Sequence, residues 1–108
     1  MTTETLEMPA GAMSDMADNA SKAAALMKAL AHEGRLMILC HLASEPELSV
    51  SALETLLNKR QAAVSQLLSR LREDRLVNAR RDGKTVYYSL ADGPTTHILG
   101  TLHDIYCR

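Results

Sequence analysis

The 108-residue chain is 46% hydrophobic but has no Trp or Phe and only three Tyr, so Leu, Ala, Met, Ile and Val must fill its interior, a mixture that suits helices better than β-sandwiches. That length supports one domain with one core; no stretch reaches the roughly 18 apolar residues of a membrane span, and the acidic start MTTETLEMPAG lacks the basic and apolar regions of a signal peptide, which predicts a cytoplasmic protein with no membrane partner. The net charge of −1 hides a segregation, because residues 58–90 hold eight Lys/Arg against three Asp/Glu and the rest of the chain four against ten. A basic block inside an acidic chain is the electrostatic footprint of phosphate binding, with a solvated charged face as the plainer alternative.

Residues 1–13 have no sustained period and contain Pro9 and Gly11, which reads as a flexible tail ahead of a single domain over 14–108. A first helix is expected from Ser14, as N-cap, to about Leu30, with Met16, Ala20, Ala23, Ala24, Met27 and Leu30 at helical spacing. The run HEGRLMILCHLA predicts a second helix with Leu36, Leu39 and Leu42 on one stripe and Cys40 near its end, stopped by Glu45 and Pro46. A third, short helix begins near Ser49 or Ser51, where Ser51 and Glu54 have capping-box spacing and Leu53, Leu56 and Leu57 face inward.

A brief turn at Asn58 and Lys59 leads into a fourth helix, RQAAVSQLLSRLRED. Its Val64, Leu67, Leu68 and Leu71 recur at core spacing, leaving Ala62, Ser65, Gln66, Ser69 and Arg70 outward. In NARRDGKTVYYSL, two β-prone arms flank Asp82-Gly83, a tight-turn dipeptide, and predict a two-stranded wing. From Pro94 a fifth helix carries Ile98, Leu102 and Ile105 on one stripe. Apolar helices at both ends of so short a chain are easiest to explain if they pack on a second subunit.

Two short helices joined by a turn and followed at once by a basic hairpin have the order of a winged helix-turn-helix: mostly α, with five helices and a two-stranded wing. The second helix of such a pair must approach base edges, so small polar residues suit its outer face, and Gln61, Ala62, Ser65 and Gln66 are the candidates for the major groove. Lys59 and Arg60 at its start, and Ser69, Arg70 and Arg72 farther along, are placed to hold phosphates. Arg80, Arg81 and Lys84 carry the wing contact. Each is weak evidence alone; their clustering makes double-stranded DNA the expected partner.

The stretches KALAHEGRLMILCHLA and ELSVSALETLLNKRQAAVSQLLSRLREDRLVNARRDGKTVYYSL resemble the ArsR/SmtB-type repressors over roughly residues 22–107. The resemblance implies a homodimer built on the first and last helices that binds an inverted-repeat operator and blocks transcription. One metal-sensing branch starts its third helix with ELCVC, where this chain has ELSVS with Ser49 and Ser51, so those soft ligands are missing. A second branch binds zinc through its last helix, but His97, His103 and Asp104 do not match its spacing. No metal and no cofactor is therefore expected.

The placement of Cys40 and Cys107 is similar instead to the sulfide-responsive BigR/SqrR-type branch. That likeness implies two thiols of one subunit that react with persulfides or other reactive sulfur species and become joined by a disulfide or polysulfide bridge, which weakens operator binding. The chemistry needs only an attacking and a resolving thiol. On the residues alone, Cys40 is served equally well as a small core residue and Cys107 as an inert one near the chain end. His41 and His103 are near enough in sequence to favour a thiolate, or are simply exposed or packed imidazoles. The other readings are a metal-sensing repressor of the same fold, a winged-helix interaction module without operator binding, and a thiol enzyme, for which no catalytic acid-base set or nucleophile motif is present.

Overall fold

A computed structural model describes Pro9 and residues 11–107. The elements run α1 (Ala12–Leu30), α2 (Glu33–Ser44), β1 (Leu48–Ser49), α3 (Val50–Leu57), α4 (Gln61–Glu73), β2 (Val77–Asp82), β3 (Thr85–Leu90) and α5 (Thr95–Tyr106). This is the winged-helix architecture, with one addition: the sheet has three strands in the order β1-β3-β2. The expected two-stranded wing gains β1, whose Leu48 and Ser49 pair antiparallel with Tyr88 and Tyr87.

The core is aliphatic and lies between the middle elements. Ile38 and Leu39 of α2, Leu53 of α3, and Val64, Leu68 and Leu71 of α4 are each essentially fully buried, and Leu42, Val77 and Leu99 join the same cluster. Helix α2 packs on α1, α3, α4, α5 and β3, so the whole domain is built around it. Its start comes close to α4, since a Cβ on Gly34 would stand 2.9 Å from Leu67 Cδ1. Arg35 ties α2 to α1, donating from Nε to the Ala29 carbonyl at 2.7 Å and from Nη2 to the Lys28 carbonyl at 3.2 Å; these carbonyls are among those a helix C-terminus leaves open.

Several local expectations change. Helix α1 begins at Ala12 after Gly11 at φ 88°, so Ser14 lies inside the helix and residues 12 and 13 are not tail; residues 1–8 and 10 of the expected tail lie outside the described residues. The cap of α3 is Ser49, whose Oγ accepts from the Ala52 amide at 3.1 Å, not Ser51. Leu56 points outward and is exposed, because an eight-residue helix has one buried stripe and Leu53 occupies it. Pro94 is the N-cap of α5, not its first turn.

The terminal helices are only partly used within the chain. In α1 just Ala29 and Leu30 are buried, while Met16 is 43% and Met27 60% exposed; in α5 Leu99 is buried and Ile105 is 64% exposed. The expected apolar stripes are therefore split: Leu30 and Ile98 pack on the core, whereas Met16, Met27 and Ile105 face out of the protomer. The radius of gyration is 16.3 Å, well above the ~13 Å of a compact domain of this size, which fits a long α1 standing away from the core.

Candidate nucleic-acid interface and thiol pair

The turn between α3 and α4 is set by Asn58, which adopts the left-handed conformation (φ 53°, ψ 49°) that Asn tolerates better than most residues. The Lys59 amide then donates back to the Glu54 carbonyl at 3.1 Å and closes α3. Helix α4 follows directly, with Arg60 as its N-cap and no side chain capping its first amides; those N–H groups remain open to solvent or to an anion. At the far end Arg75, at φ 59°, lets the Leu76 amide reach the Leu71 carbonyl at 2.9 Å and turns the chain into the wing.

Burying Val64, Leu68 and Leu71 orients α4. Gln61, Ala62, Ser65, Gln66 and Ser69 are all exposed, as are Lys59 and Arg60 in the turn and Arg72 near the helix end. The structure brings the expected groove-facing residues onto one solvent face. Arg70 is half-buried and already engaged, its Nε 2.9 Å from Asp74 Oδ2 one helical turn on.

The wing pairs Val77–Asp82 with Thr85–Leu90 in full register, from Val77 opposite Leu90 to Asp82 opposite Thr85. The loop residues are thus Gly83 and Lys84 instead of Asp82-Gly83. Gly83 at φ 63° is the only one of the two with positive φ, the pattern of a type II′ hairpin turn, whose twist matches the strands. Lys84, Thr85 and Val86 face Ser49, Ser51, Glu54 and Gln61 across a cleft of about 360 Å³ between the wing and the α3–α4 pair. Arg81 is exposed. Arg80 is bound by the carboxylate of Glu47, at 2.8 Å from Nη2 and 2.9 Å from Nε, and its guanidinium lies 4.9 Å from the Tyr87 ring centre. The pair holds the Glu47 carboxyl below its usual range, chiefly through that hydrogen bond.

Away from this surface lie the thiols. Cys40, late in α2, and Cys107, the C-cap of α5, are both free and exposed, so Cys40 is not a core residue. Cys40 shares a cleft of about 310 Å³ with Ala43 and Ser44 of α2 and Thr96, Leu99, Gly100 and His103 of α5. Partial burial pushes the Cys40 thiol up from its usual pKa, and the negative charge of Cys107 pushes it further. The Cys107 amide donates to the carbonyl of His103, which lines the Cys40 cleft, so the two cysteines, 67 positions apart in sequence, flank the same α2–α5 junction. Of the two readings left open for His41, the exposed or packed imidazole fits better than a partner of the Cys40 thiolate. His41 lines a different cleft, with Leu48, Ala52 and Thr55, and the environment of Cys40 favours the protonated form. Among the described residues, no three His, Cys, Asp or Glu side chains cluster to hold a metal ion.

Sequence reasoning did not find Glu47, Tyr87 or Asp74 as partners of the candidate arginines. The Arg70–Asp74 spacing of four residues was a readable signal; the Glu47–Arg80 pair, 33 positions apart, had none.

Residues 32–79 match the profile described as "Bacterial regulatory protein, arsR family". The chain is 43% identical over 96 residues to the transcriptional activator HlyU of Vibrio cholerae, a match covering 89% of this chain and 88% of that protein. The solved structure of reduced HlyU from the same organism superposes with a TM-score of 0.81, covering 88% of this chain and 99% of that one. The structure of the transcriptional repressor BigR from Xylella fastidiosa does so with a TM-score of 0.83 at 35% identity, covering 89% and 97%. With its winged-helix fold and relatives of this identity over nearly its full length, the chain belongs to the ArsR family of bacterial transcriptional regulators.

Proposed function

We propose that the protein is a homodimeric repressor that binds double-stranded operator DNA and lets go when Cys40 and Cys107 are joined by reactive sulfur. Gln61, Ala62, Ser65 and Gln66 read base edges in the major groove. Lys59, Arg60, Ser69, Arg72, Arg81 and Lys84 hold phosphates and set register, and Arg70 joins them by exchanging its single Nε bond to Asp74, one turn away on the exposed surface, for a phosphate. Arg80 is already committed to Glu47 and is left out of this set. The repressive direction follows the named activity of BigR, and HlyU, named an activator, makes a reporter gene behind the operator the direct check: a repressor raises its expression when deleted.

The observation that carries the switch is the placement of Cys40 in the α2–α5 cleft beside His103, whose carbonyl accepts from the Cys107 amide one helical turn on; a relative solved in a form designated reduced supports it. A low-molecular-weight persulfide, RSSH, transfers its outer sulfur to Cys40, giving Cys40–S–SH and RSH. Attack by the Cys107 thiol on the inner sulfur forms the Cys40–Cys107 disulfide and expels H₂S. If Cys107 is persulfidated first, the two persulfides condense to a trisulfide, again with loss of H₂S. The inserted sulfur relaxes the Cα separation of about 7 Å that bounds a direct disulfide.

The test is peptide-mapped intact mass after persulfide treatment, with operator mobility shift on the same sample. An intramolecular Cys40–Cys107 bridge coincident with lost binding is expected, and Cys40→Ser and Cys107→Ser should each bind the operator when reduced and no longer release it. Release retained in both single variants would remove the two-thiol mechanism.

A further inference from the structure

Among the described residues, the wing carries one ion pair that joins segments 33 positions apart. Glu47 follows Pro46 and immediately precedes β1, Arg80 sits on β2, and β3 lies between those two strands. The Arg80 side chain therefore spans the sheet. It passes over the Tyr87 ring on the central strand, with 4.9 Å between the guanidinium carbon and the ring centre, and ends in a two-point grip on both carboxylate oxygens of Glu47 at 2.8 and 2.9 Å. Two parallel charge-assisted bonds fix direction as well as distance, and an aromatic face beneath a guanidinium adds a third point of contact.

Strand alternation places this arrangement on one particular side. Arg80 is opposite Tyr87, and Arg81 is opposite Val86. Val77, two pairs of residues from Arg81 on the same face, is buried in the core, and Val86 lines the cleft shared with Gln61. Arg81 thus belongs to the face turned toward the helices, and Arg80 to the reverse face. A guanidinium neutralised by a carboxylate also offers little to a phosphate.

We propose that Glu47, Tyr87 and Arg80 form a strap that fixes the angle of the wing against the helix-turn-helix, making Arg80 a positioning residue for DNA binding instead of a phosphate contact. A two-stranded ribbon is strongly twisted and marginally stable alone. β1 adds only two residues of pairing, and the strap extends that attachment to the outer strand. A wing held in its bound orientation before DNA arrives loses less freedom on binding. This inference rests on the operator-binding reading above.

Glu47→Ala, Arg80→Ala, the double variant and the exchange Glu47→Arg with Arg80→Glu, each first shown to melt cooperatively, are compared with the parent by fluorescence anisotropy on operator duplex at a series of salt concentrations. A strap predicts that each single variant weakens operator binding by roughly three- to fivefold, the scale of an exposed ion pair. The double variant is no worse than either single one, the exchange recovers binding, and the slope of log affinity against log salt is unchanged. A phosphate contact predicts the opposite pattern: Arg80→Ala flattens the salt slope by about one charge and Glu47→Ala tightens binding. That result overturns the proposal.

Amide hydrogen exchange of the free protein supplies a readout without DNA. Glu47→Ala and Arg80→Ala should speed exchange in β2 and β3 to the same extent while leaving α4 unchanged, and unaltered wing exchange in both also overturns the proposal. If the parent binds no operator but the strap variants loosen the wing, the DNA-binding reading fails and the strap stands.

Discussion

The middle of the molecule and its two ends solve the burial problem differently. From α2 to β3 the chain largely satisfies itself: Ile38, Leu39, Leu53, Val64, Leu68 and Leu71 are sealed in one aliphatic cluster, and Met37 and Leu56 are the large apolar side chains it leaves exposed. The terminal helices bury only four residues between them, Ala29, Leu30, Thr95 and Leu99, and leave Met13, Met16, Met27, Ile105 and Tyr106 in solvent. The proposed reading surface thus lies on the more self-sufficient part, and most of the large apolar side chains that remain to be covered lie on the ends. A second copy of the chain is the economical cover, since a helix pair contributed by each of two protomers closes on itself.

The contrast is broken most severely from the inside. Leu68→Ala, on the buried side of α4, should cost about 2–5 kcal/mol in urea unfolding, and a loss under ~1 kcal/mol would mean the core is not where the structure places it. Next, Met27→Glu combined with Ile105→Glu should leave the far-ultraviolet helix signal intact while weakening self-association at least about tenfold in sedimentation equilibrium. An undisturbed dimer would move the subunit interface away from the terminal helices.

The thiols sit on the border between the two regions, and their titration sharpens it. Because burial and the Cys107 charge both raise the Cys40 pKa, the pH midpoint for Cys40 alkylation by iodoacetamide should lie above that of a free thiol, with slower reaction at neutral pH. Cys107→Ser removes the second influence and should move that midpoint down. A raised pKa means that the folded state holds the proton more tightly, so this contribution to stability is present below the unfolded thiol's pKa and fades as pH rises through the folded value. A Cys40 midpoint at or below that of the free thiol would contradict the partial burial at the α2–α5 junction. The smallest effect is local: Ser49→Ala removes the cap bond to Ala52 and should lower stability by about 1 kcal/mol, whereas Ser51→Ala should change it far less.

What could be read from the residues was whatever is periodic or adjacent. The stripes of α2 and α4, the order helix, turn, helix, hairpin, and the outward set from Gln61 to Ser69 follow from local spacing, and the structure places them as expected. The parts that were not legible depend on meetings between distant segments. Leu48 and Ser49 have no strand signature at two residues, and only pairing with Tyr88 and Tyr87 makes them β1. Arg80 looks like any other basic wing residue until Glu47 is folded against it. Periodicity located the apolar stripe of α1 without saying whether it faces this chain's core or another chain, and Leu56 fits an inward spacing but lies beyond the reach of the core. Ser51 with Glu54 matched a known motif, yet the backbone had already started the helix at Val50.

The strand order β1-β3-β2 leaves β2 with one edge that no other strand covers. An open edge is a template on which a further chain can add by main-chain hydrogen bonds, and a protein that already presents uncovered methionines is badly placed to tolerate one. Asn78, Arg80, Arg81 and Asp82 along that strand are all exposed, and charges of this kind are a common guard against edge-to-edge growth. The arginines of the wing therefore guard solubility in their own right, and neutralising Arg81 to test its proposed phosphate contact would also lower the barrier that keeps one wing from zipping onto the next.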